Sequence, residues 1–272
     1  MKLSRPIHVA DIGAAVIAEV PPYQPLLDLG LARLSAFDGD DRQIPRLQQA
    51  FGDKVDVYGD VIADGRTRTL HLASPESGMT SLLRPSPERL RFFNGFELFG
   101  EIRQELQVQS RRLDDIEGLA PIDFLKMDVQ GAELMVLQHG ALKLEACVAI
   151  QLEVSFVPLY EDQPAFGEID GWMRAHGFLP HCFVDLKRWS IAPTIRDGDF
   201  RRPFNQLLEA DIVYVRDPAT YAGLESEQLA RLGHIALLCY RSPDLAAHIL
   251  SVLQGRGLAL QGLAIALEDG AG

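Results

Sequence analysis

Short apolar runs that end in an acid or a glycine, each followed by residues at helical spacing, constrain this chain more than any other feature. Ile7-His8-Val9-Ala10-Asp11-Ile12-Gly13 is the first such run, and it reads as a buried parallel strand entering its loop. Leu26, Leu27 and Leu29 ahead of Gly30 give a helical pattern, after which Leu34-Ser35-Ala36-Phe37 runs into the turn Asp38-Gly39-Asp40-Asp41. Ile44, Leu47, Ala50 and Phe51 return to helical spacing, and Val55, Val57 and Val61 alternate as a third strand does. The same alternation resumes later. Phe124-Leu125-Lys126-Met127-Asp128 is a strand ending in an acid, and Gly131 to Leu142 is a helix with the apolar stripe Leu134, Leu137 and Ala141, edged by Met135 and Leu142. Cys147 to Val154 is a strand, Ile169 to His176 a helix closed by Gly177, and His181 to Leu186 and Asp211 to Val215 are late strands. Strands and helices that alternate in this way imply a doubly wound α/β sheet.

Two stretches break the pattern. From Gly65 the residues Thr67, Thr69, His71 and Ala73 alternate with Arg68, Leu70 and Leu72, which suggests an extended excursion. Residues 74 to 101 then hold Pro75, Pro85 and Pro87 with Phe92, Phe93, Phe96 and Phe99, and read as an insertion over one end of the sheet, a mobile cover that excludes water and shapes a pocket. After Pro218 helical spacing takes over at Leu229, Leu232, Ile235 and Ala236, and again after Ser242-Pro243, a Ser cap with Pro at the first helical position. The expected division is an α/β domain over residues 1–217 and a helical extension over 218–272, which either covers the sheet or forms a homodimer interface.

Composition narrows the partners. With 47% hydrophobic and 24% charged residues the chain is a folded one, not a disordered one. Thirty-eight acidic against 26 basic residues give a net charge of −12, which repels phosphate backbones and anionic lipid, so no nucleic acid and no membrane is expected as a partner. No stretch approaches about 18 consecutive apolar residues, and the start MKLSRPIHVADIGAA lacks the order of a signal peptide, so the expected location is cytoplasmic. Cys147, Cys182 and Cys239 sit in no metal-ligand or disulfide spacing and read as reduced core thiols.

In an open parallel sheet, ligands sit beyond the carboxyl ends of the strands. Asp11, Asp38, Asp128 and Glu153 lie at such ends. Asp38 follows Gly13 by 25 residues, near the usual offset of a ribose-binding acid, about 20. The loop after Gly13 is Ala14-Ala15-Val16-Ile17 and not G-x-G-x-x-G, which disfavours a dinucleotide pyrophosphate, whereas an adenosyl ligand demands less of this turn. Lys126 and Asp128 face one side of their strand, so an ion pair between them competes with catalysis, and Glu133 in the first turn of the next helix suits the helix dipole. His139, His176 and His181 carry no assigned role.

Several segments together resemble the FkbM family of S-adenosylmethionine-dependent methyltransferases: Arg112-Leu113-Asp114-Asp115-Ile116, IDFLKMDVQGAELMVLQHGA over Ile122 to Ala141, and IQLEVSFVPLYEDQPAFGEIDGWMRAHGF over Ile150 to Phe178. VADIGA, FDGD, Gly78 to Leu82 and LLEADIVYVRD fit the same pattern. The resemblance implies a Rossmann-like class I methyltransferase fold, a mostly parallel seven-stranded sheet whose last strand is antiparallel, with O-methylation as the usual activity. It implies that Asp11, Gly13 and Ala14 shape the turn under the methionine moiety, that Asp38 with Gly39 holds the ribose, and that Asp60 with Val61 lies beside the adenine. Members often have a glycine-richer first loop and Glu-Pro after the second strand, where this chain has Ala14-Ala15 and Asp38-Gly39. For methyl transfer to a hydroxyl, Asp128 and Glu153 become the candidates for proton acceptor or for a divalent-metal pair. The expected acceptor is a sugar, glycan or secondary-metabolite hydroxyl, and the rival reading is a non-catalytic binding module on the same fold.

Overall fold

A computed structural model describes residues 2–14, 20–40, 42–74 and 77–259. Ala15, Val16 and Ile17 of the first loop, Asp41, Pro75 and the end of the tail (260–272) lie outside the described residues. The chain runs through β1 (Ile7–Ile12), α1 (Gln24–Asp28), β2 (Ala32–Phe37), α2 (Gln43–Phe51), β3 (Val55–Tyr58) and β4 (Thr67–Leu72). It continues with α3 (Pro87–Leu90), α4 (Phe96–Phe99), β5 (Gln104–Gln109), β6 (Phe124–Met127), α5 (Glu133–Gln138) and β7 (Ala149–Ser155). The last elements are α6 (Phe166–Ala175), β8 (Phe178–Arg188), β9 (Leu207–Arg216), α7 (Ser226–Tyr240) and α8 (Pro243–Gly255).

Seven strands form one sheet in the order β3-β2-β1-β6-β7-β9-β8, parallel throughout except for β9, which runs antiparallel to both neighbours. This is the Rossmann-like class I methyltransferase arrangement. Strand order reverses between β1 and β6, because the chain leaves β1 toward β2 and β3 and later returns to its other side. One face carries Val9, Leu34, Phe124, Ala149 and Val213 and packs on Leu26 and Leu27 of α1, Leu229, Leu232 and Ile235 of α7 and Ile249 of α8. The opposite face carries Ile12, Leu125, Ile150, Leu152 and Tyr214 and packs on α5 and α6 through Val136, Leu137, Ile169 and Met173. The helices beyond Asp217 therefore cover their own sheet.

Polar contacts fix where α7 lies. Asp123, at the start of β6, accepts from Arg5 at 2.6 Å and from the His8 amide at 2.8 Å, with Arg231 of α7 at 3.7 Å. A carboxylate so buried is tolerated because every neighbour is a donor or a cation. At the other end of α7 the Tyr240 hydroxyl donates to Gln151 of β7 at 2.9 Å, and its ring meets Phe124 edge-on.

Three local expectations differ from what is observed. The helix expected over 131–142 is only six residues long, since Gly140 is pressed against Leu113, where a Cβ would stand 2.8 Å from Leu113 Cδ2. The Asp114 amide takes the His139 carbonyl there and Asp114 caps Lys143, leaving Leu142 75% exposed. Val61 falls beyond β3, where it pairs with Arg111. Ser242 does not cap α8 with its side chain, because its Oγ is bonded to His181 Nε2 at 2.7 Å. The excursion pairs β4 with β5 as a separate two-stranded sheet, and Phe93 and Phe96 between them pack on Leu159, Tyr160 and Leu208 at the carboxyl end of the main sheet. Among the described residues no helix is long and apolar enough to cross a membrane.

If α7 supplies a layer of the core, Leu232→Ala should cost about 2 to 5 kcal/mol in urea unfolding, whereas Leu142→Ala should stay within about 0.5 kcal/mol. Comparable losses from the two substitutions would mean that α7 is not seated as described.

Candidate active site

The site is built on the strand ends where the order reverses. Asp11 is buried near the end of β1, level in register with Lys126 of β6, which is itself level with Gln151 of β7. Lys126 Nζ lies 3.3 Å from Asp11 Oδ1, and the Tyr23 hydroxyl donates to Asp11 Oδ2 at 2.7 Å. The ion partner of Lys126 is thus Asp11, across the strands, and not Asp128 along its own strand. Burial pulls the Lys126 pKa down, but the Asp11 and Asp128 carboxylates outweigh it and hold the ammonium above its ordinary value. Gly13, at φ +80°, lies so close to β6 that a Cβ would stand 1.9 Å from the Asp128 carbonyl oxygen. The Gly13 and Ala14 amides both donate to the Phe37 carbonyl, at 2.9 and 3.0 Å, tying the first loop to the end of β2.

The ends of β2 and β3 meet beside this point. Asp38 accepts the Asp40 amide at 2.7 Å through Oδ1, and among the described residues its other oxygen has no hydrogen-bond partner. Burial, with the charges of Asp40 and Asp11, pushes its carboxyl up to about 6. Gly39 is pressed on Val61, where a Cβ would be 2.3 Å from Cγ2, and Asp60 lies 3.3 Å from Arg111 Nη1. The structure therefore brings Asp38, Gly39, Asp60 and Val61 to one corner, next to Asp11, Gly13 and Ala14.

On the other side of the reversal stands a second group. Asp128 accepts Gln130 Nε2 at 2.7 Å, and Gln130 accepts the Tyr160 hydroxyl at 3.1 Å on its side chain and the Ser81 hydroxyl at 2.6 Å on its carbonyl. Gln130 holds φ +55°, a left-handed conformation that costs a non-glycine residue of order 1 kcal/mol and persists where surroundings impose it. Glu153 of β7 is buried, accepts no hydrogen bond among the described residues, and has Lys187 Nζ at 3.5 Å; Lys187 is shared with Glu209 at 2.8 Å. Burial pushes the Glu153 carboxyl well above the usual range, Asp128 and Glu209 push the same way, and Lys187 pulls it back. Glu133 is also buried. Its Oε1 accepts the Val129 and Gly131 amides at 3.1 and 3.2 Å, so it ties the loop after β6 and does not merely complement a helix dipole. Burial pushes it up to about 7.

Sequence reasoning missed Gln130, Tyr160, Lys187, Glu209 and Asp211. A signal existed for the acids, since Glu209 and Asp211 alternate inside an otherwise apolar strand and Asp211 is level with Glu153. Among the described residues no group of three or more His, Cys, Asp and Glu side chains is arranged to hold a metal ion.

The model of the Methyltransferase FkbM domain matches residues 21–180, more than half of the chain. The chain belongs to the FkbM methyltransferase family. No curated protein sequence matches it significantly. Among solved structures, this FkbM chain is similar to magnesium protoporphyrin IX methyltransferase (ChlM) from Synechocystis PCC 6803 with bound SAM, at 13% identity over 78% of this chain and 71% of that one, TM-score 0.37. It is similar to a fibrillarin pre-rRNA processing protein of Methanococcus jannaschii, at 13% identity over 80% and 69%, TM-score 0.38. A putative methyltransferase from Thermoplasma acidophilum is similar at 9% identity over 79% and 70%, TM-score 0.35. Family membership supports S-adenosylmethionine-dependent methyl transfer, and the residues present fit such a cofactor. Asp11 Oδ1 already faces the Lys126 ammonium, whereas among the described residues Asp38 keeps one oxygen unused, an acceptor that could serve a ribose hydroxyl.

Glu133 makes stability depend on pH. A carboxyl whose folded pKa is raised from 4.5 to about 7 contributes fully below 4.5, and that contribution is lost as pH rises through 7. Glu133→Gln keeps an acceptor oxygen for the two amides, so it should gain on the order of 3 kcal/mol over the parent at about pH 8 and almost nothing at about pH 4. Urea unfolding at both pH values checks this, and a difference that does not change with pH would sink the assignment.

Proposed function

We propose that this FkbM domain catalyses O-methylation of a sugar, glycan or secondary-metabolite hydroxyl. The observation that carries the reading is Glu153, a buried carboxyl near the end of β7 with a raised pKa, no hydrogen-bond donor among the described residues and an ammonium at 3.5 Å. S-adenosylmethionine, when bound, supplies an electrophilic methyl group. Asp38 with Gly39 holds the ribose, Asp60 and Val61 lie beside the adenine, and Asp11, Gly13 and Ala14 form the turn under the methionine moiety. Glu153 takes the proton that the acceptor hydroxyl loses. A carboxylate made more basic by burial is suited to this, because a base works best with its pKa near the working pH. Lys187 keeps a population of Glu153 ionised, and Asp128, held by Gln130, orients the acceptor oxygen. Much of the acceleration comes from that positioning.

Asp38→Ala removes a charge-assisted bond and should weaken S-adenosylhomocysteine binding about 10- to 100-fold by calorimetry. Unchanged affinity in the folded variant would remove Asp38 from the ribose. Glu153→Gln and Asp128→Asn should each leave that affinity within a few-fold and lower turnover by about 100-fold or more. Turnover equal to the parent's excludes the residue from the reaction, and a chain that binds no S-adenosylhomocysteine at all is the non-catalytic module.

A further inference from the structure

The chain between β8 and β9, residues 189–206, belongs to none of the groups above, and its sequence shows no period from which a role could be read. With the end of β7 it forms an open cleft of about 500 Å³. Phe156, Trp189 and Phe204 supply aromatic walls, with Ile191 and Leu207 beside them, and Thr194, Asn205 and Gln206 supply the polar ones. Among the described residues no charged side chain is part of the lining, although the Arg196 guanidinium lies over the Phe204 ring at 5.0 Å from its centroid. Phe156 directly follows the last residue of β7, so the cleft lies at the carboxyl end of the main sheet, the end at which Glu153 stands.

The indole of Trp189 is held firmly. Its Nε1 donates to the Asn94 carbonyl at 2.8 Å, and Phe96 packs edge-on to it at 4.8 Å between centroids. The Asn94 amide takes the Ser190 carbonyl at 3.0 Å and the Ala192 amide takes the Phe92 carbonyl at 2.9 Å. The phenylalanines of the insertion thus stand behind the cleft and brace its wall. With its N–H already used, Trp189 has only ring surface to present. On the polar side, the side chains of Asn205 and Thr194 have no hydrogen-bond partner among the described residues, while Gln206 spends Nε2 on the Leu207 carbonyl and keeps Oε1.

We propose that this cleft is the acceptor subsite and that it takes the ring of an uncharged glycoside. The aromatic walls match the C–H faces of a pyranose. The amide and hydroxyl groups match its hydroxyls, both as donors and as acceptors. For a phosphate or carboxylate the one cation seated against the lining is Arg196, which is engaged with the Phe204 ring and the Pro203 carbonyl, and a purely apolar ring uses only one side of the lining. The assignment rests on the O-methylation reading, naming the substrate class of that site.

The chain has two tryptophans, so Trp172→Phe leaves Trp189 as the only indole. The full-length variant, without cofactor, is titrated with the methyl pyranosides of glucose, galactose, mannose and rhamnose, with cyclohexanol, and with glucose 1-phosphate, following Trp189 emission. At least one methyl pyranoside should saturate in the millimolar range and bind more tightly than cyclohexanol or the phosphate. Adding Asn205→Ala, an exposed position, should weaken that glycoside about 2- to 10-fold. The proposal is overturned if no glycoside saturates, if cyclohexanol or glucose 1-phosphate binds as well as the best glycoside, or if Asn205→Ala leaves its affinity unchanged. Because the titration needs no cofactor, its failure stays distinct from a failure of the methyltransferase reading, which S-adenosylhomocysteine calorimetry reports.

Discussion

Placing an ionised carboxylate inside a sheet costs several kcal/mol unless partners replace the lost water. Asp11 meets that condition with Lys126 on the adjacent β6 and with Tyr23 ahead of α1. The three groups come from different parts of the chain, so the contact joins the first strand, the strand across the reversal and the helix that covers them. It also fixes the two loops between which a cofactor can lie, because Gly13 is in contact with the Asp128 carbonyl only while β1 and β6 keep this register. Removing either partner would leave a buried charge unpaired, which is costlier than never having buried the pair.

The strand ends were legible in the sequence for a related reason. A buried parallel strand is apolar along its length, so an acid at its end stands out, and Asp11, Asp38 and Asp128 were found in that way. Glu153 was found by its place after an apolar run, although its isolation from donors is a tertiary fact. What stayed hidden depends on contacts without a period. Gln130 matters because its backbone is left-handed and three groups converge on it. Lys187 matters because β8 lies beside β9 and not beside β7, and no local pattern encodes that order. The shortened α5 is a similar case, since helical spacing continues through Gly140 while packing on Leu113 stops the helix.

The tail shows how a layer can be supplied from the far end of a chain. With β1 starting at Ile7, no described helix precedes the sheet, and α1 alone is five residues long. That is too little to cover Val9, Phe124, Ala149 and Val213. α7 and α8 bury Leu229, Leu232, Ile235, Ile249 and Leu253 on this face instead. The tail also reaches the site, because Tyr240 is bonded to Gln151, two residues before Glu153 on β7.

The charges around that rung do not balance. Asp128, Glu153, Glu209 and Asp211 share the ammonium groups of Lys126 and Lys187, and Asp11 already engages Lys126. Negative charge therefore exceeds positive in a region of low dielectric, where each unit weighs more than in water. The excess can be relieved in two ways, by protons or by a cation. Protons account for the raised carboxyls of Glu153 and Asp211, both driven chiefly by burial and next by Asp128. On the proposed reading, a sulfonium bound near these acids would relieve the same excess and favour the ionised form of Glu153, while lowering part of the basicity that burial gives it.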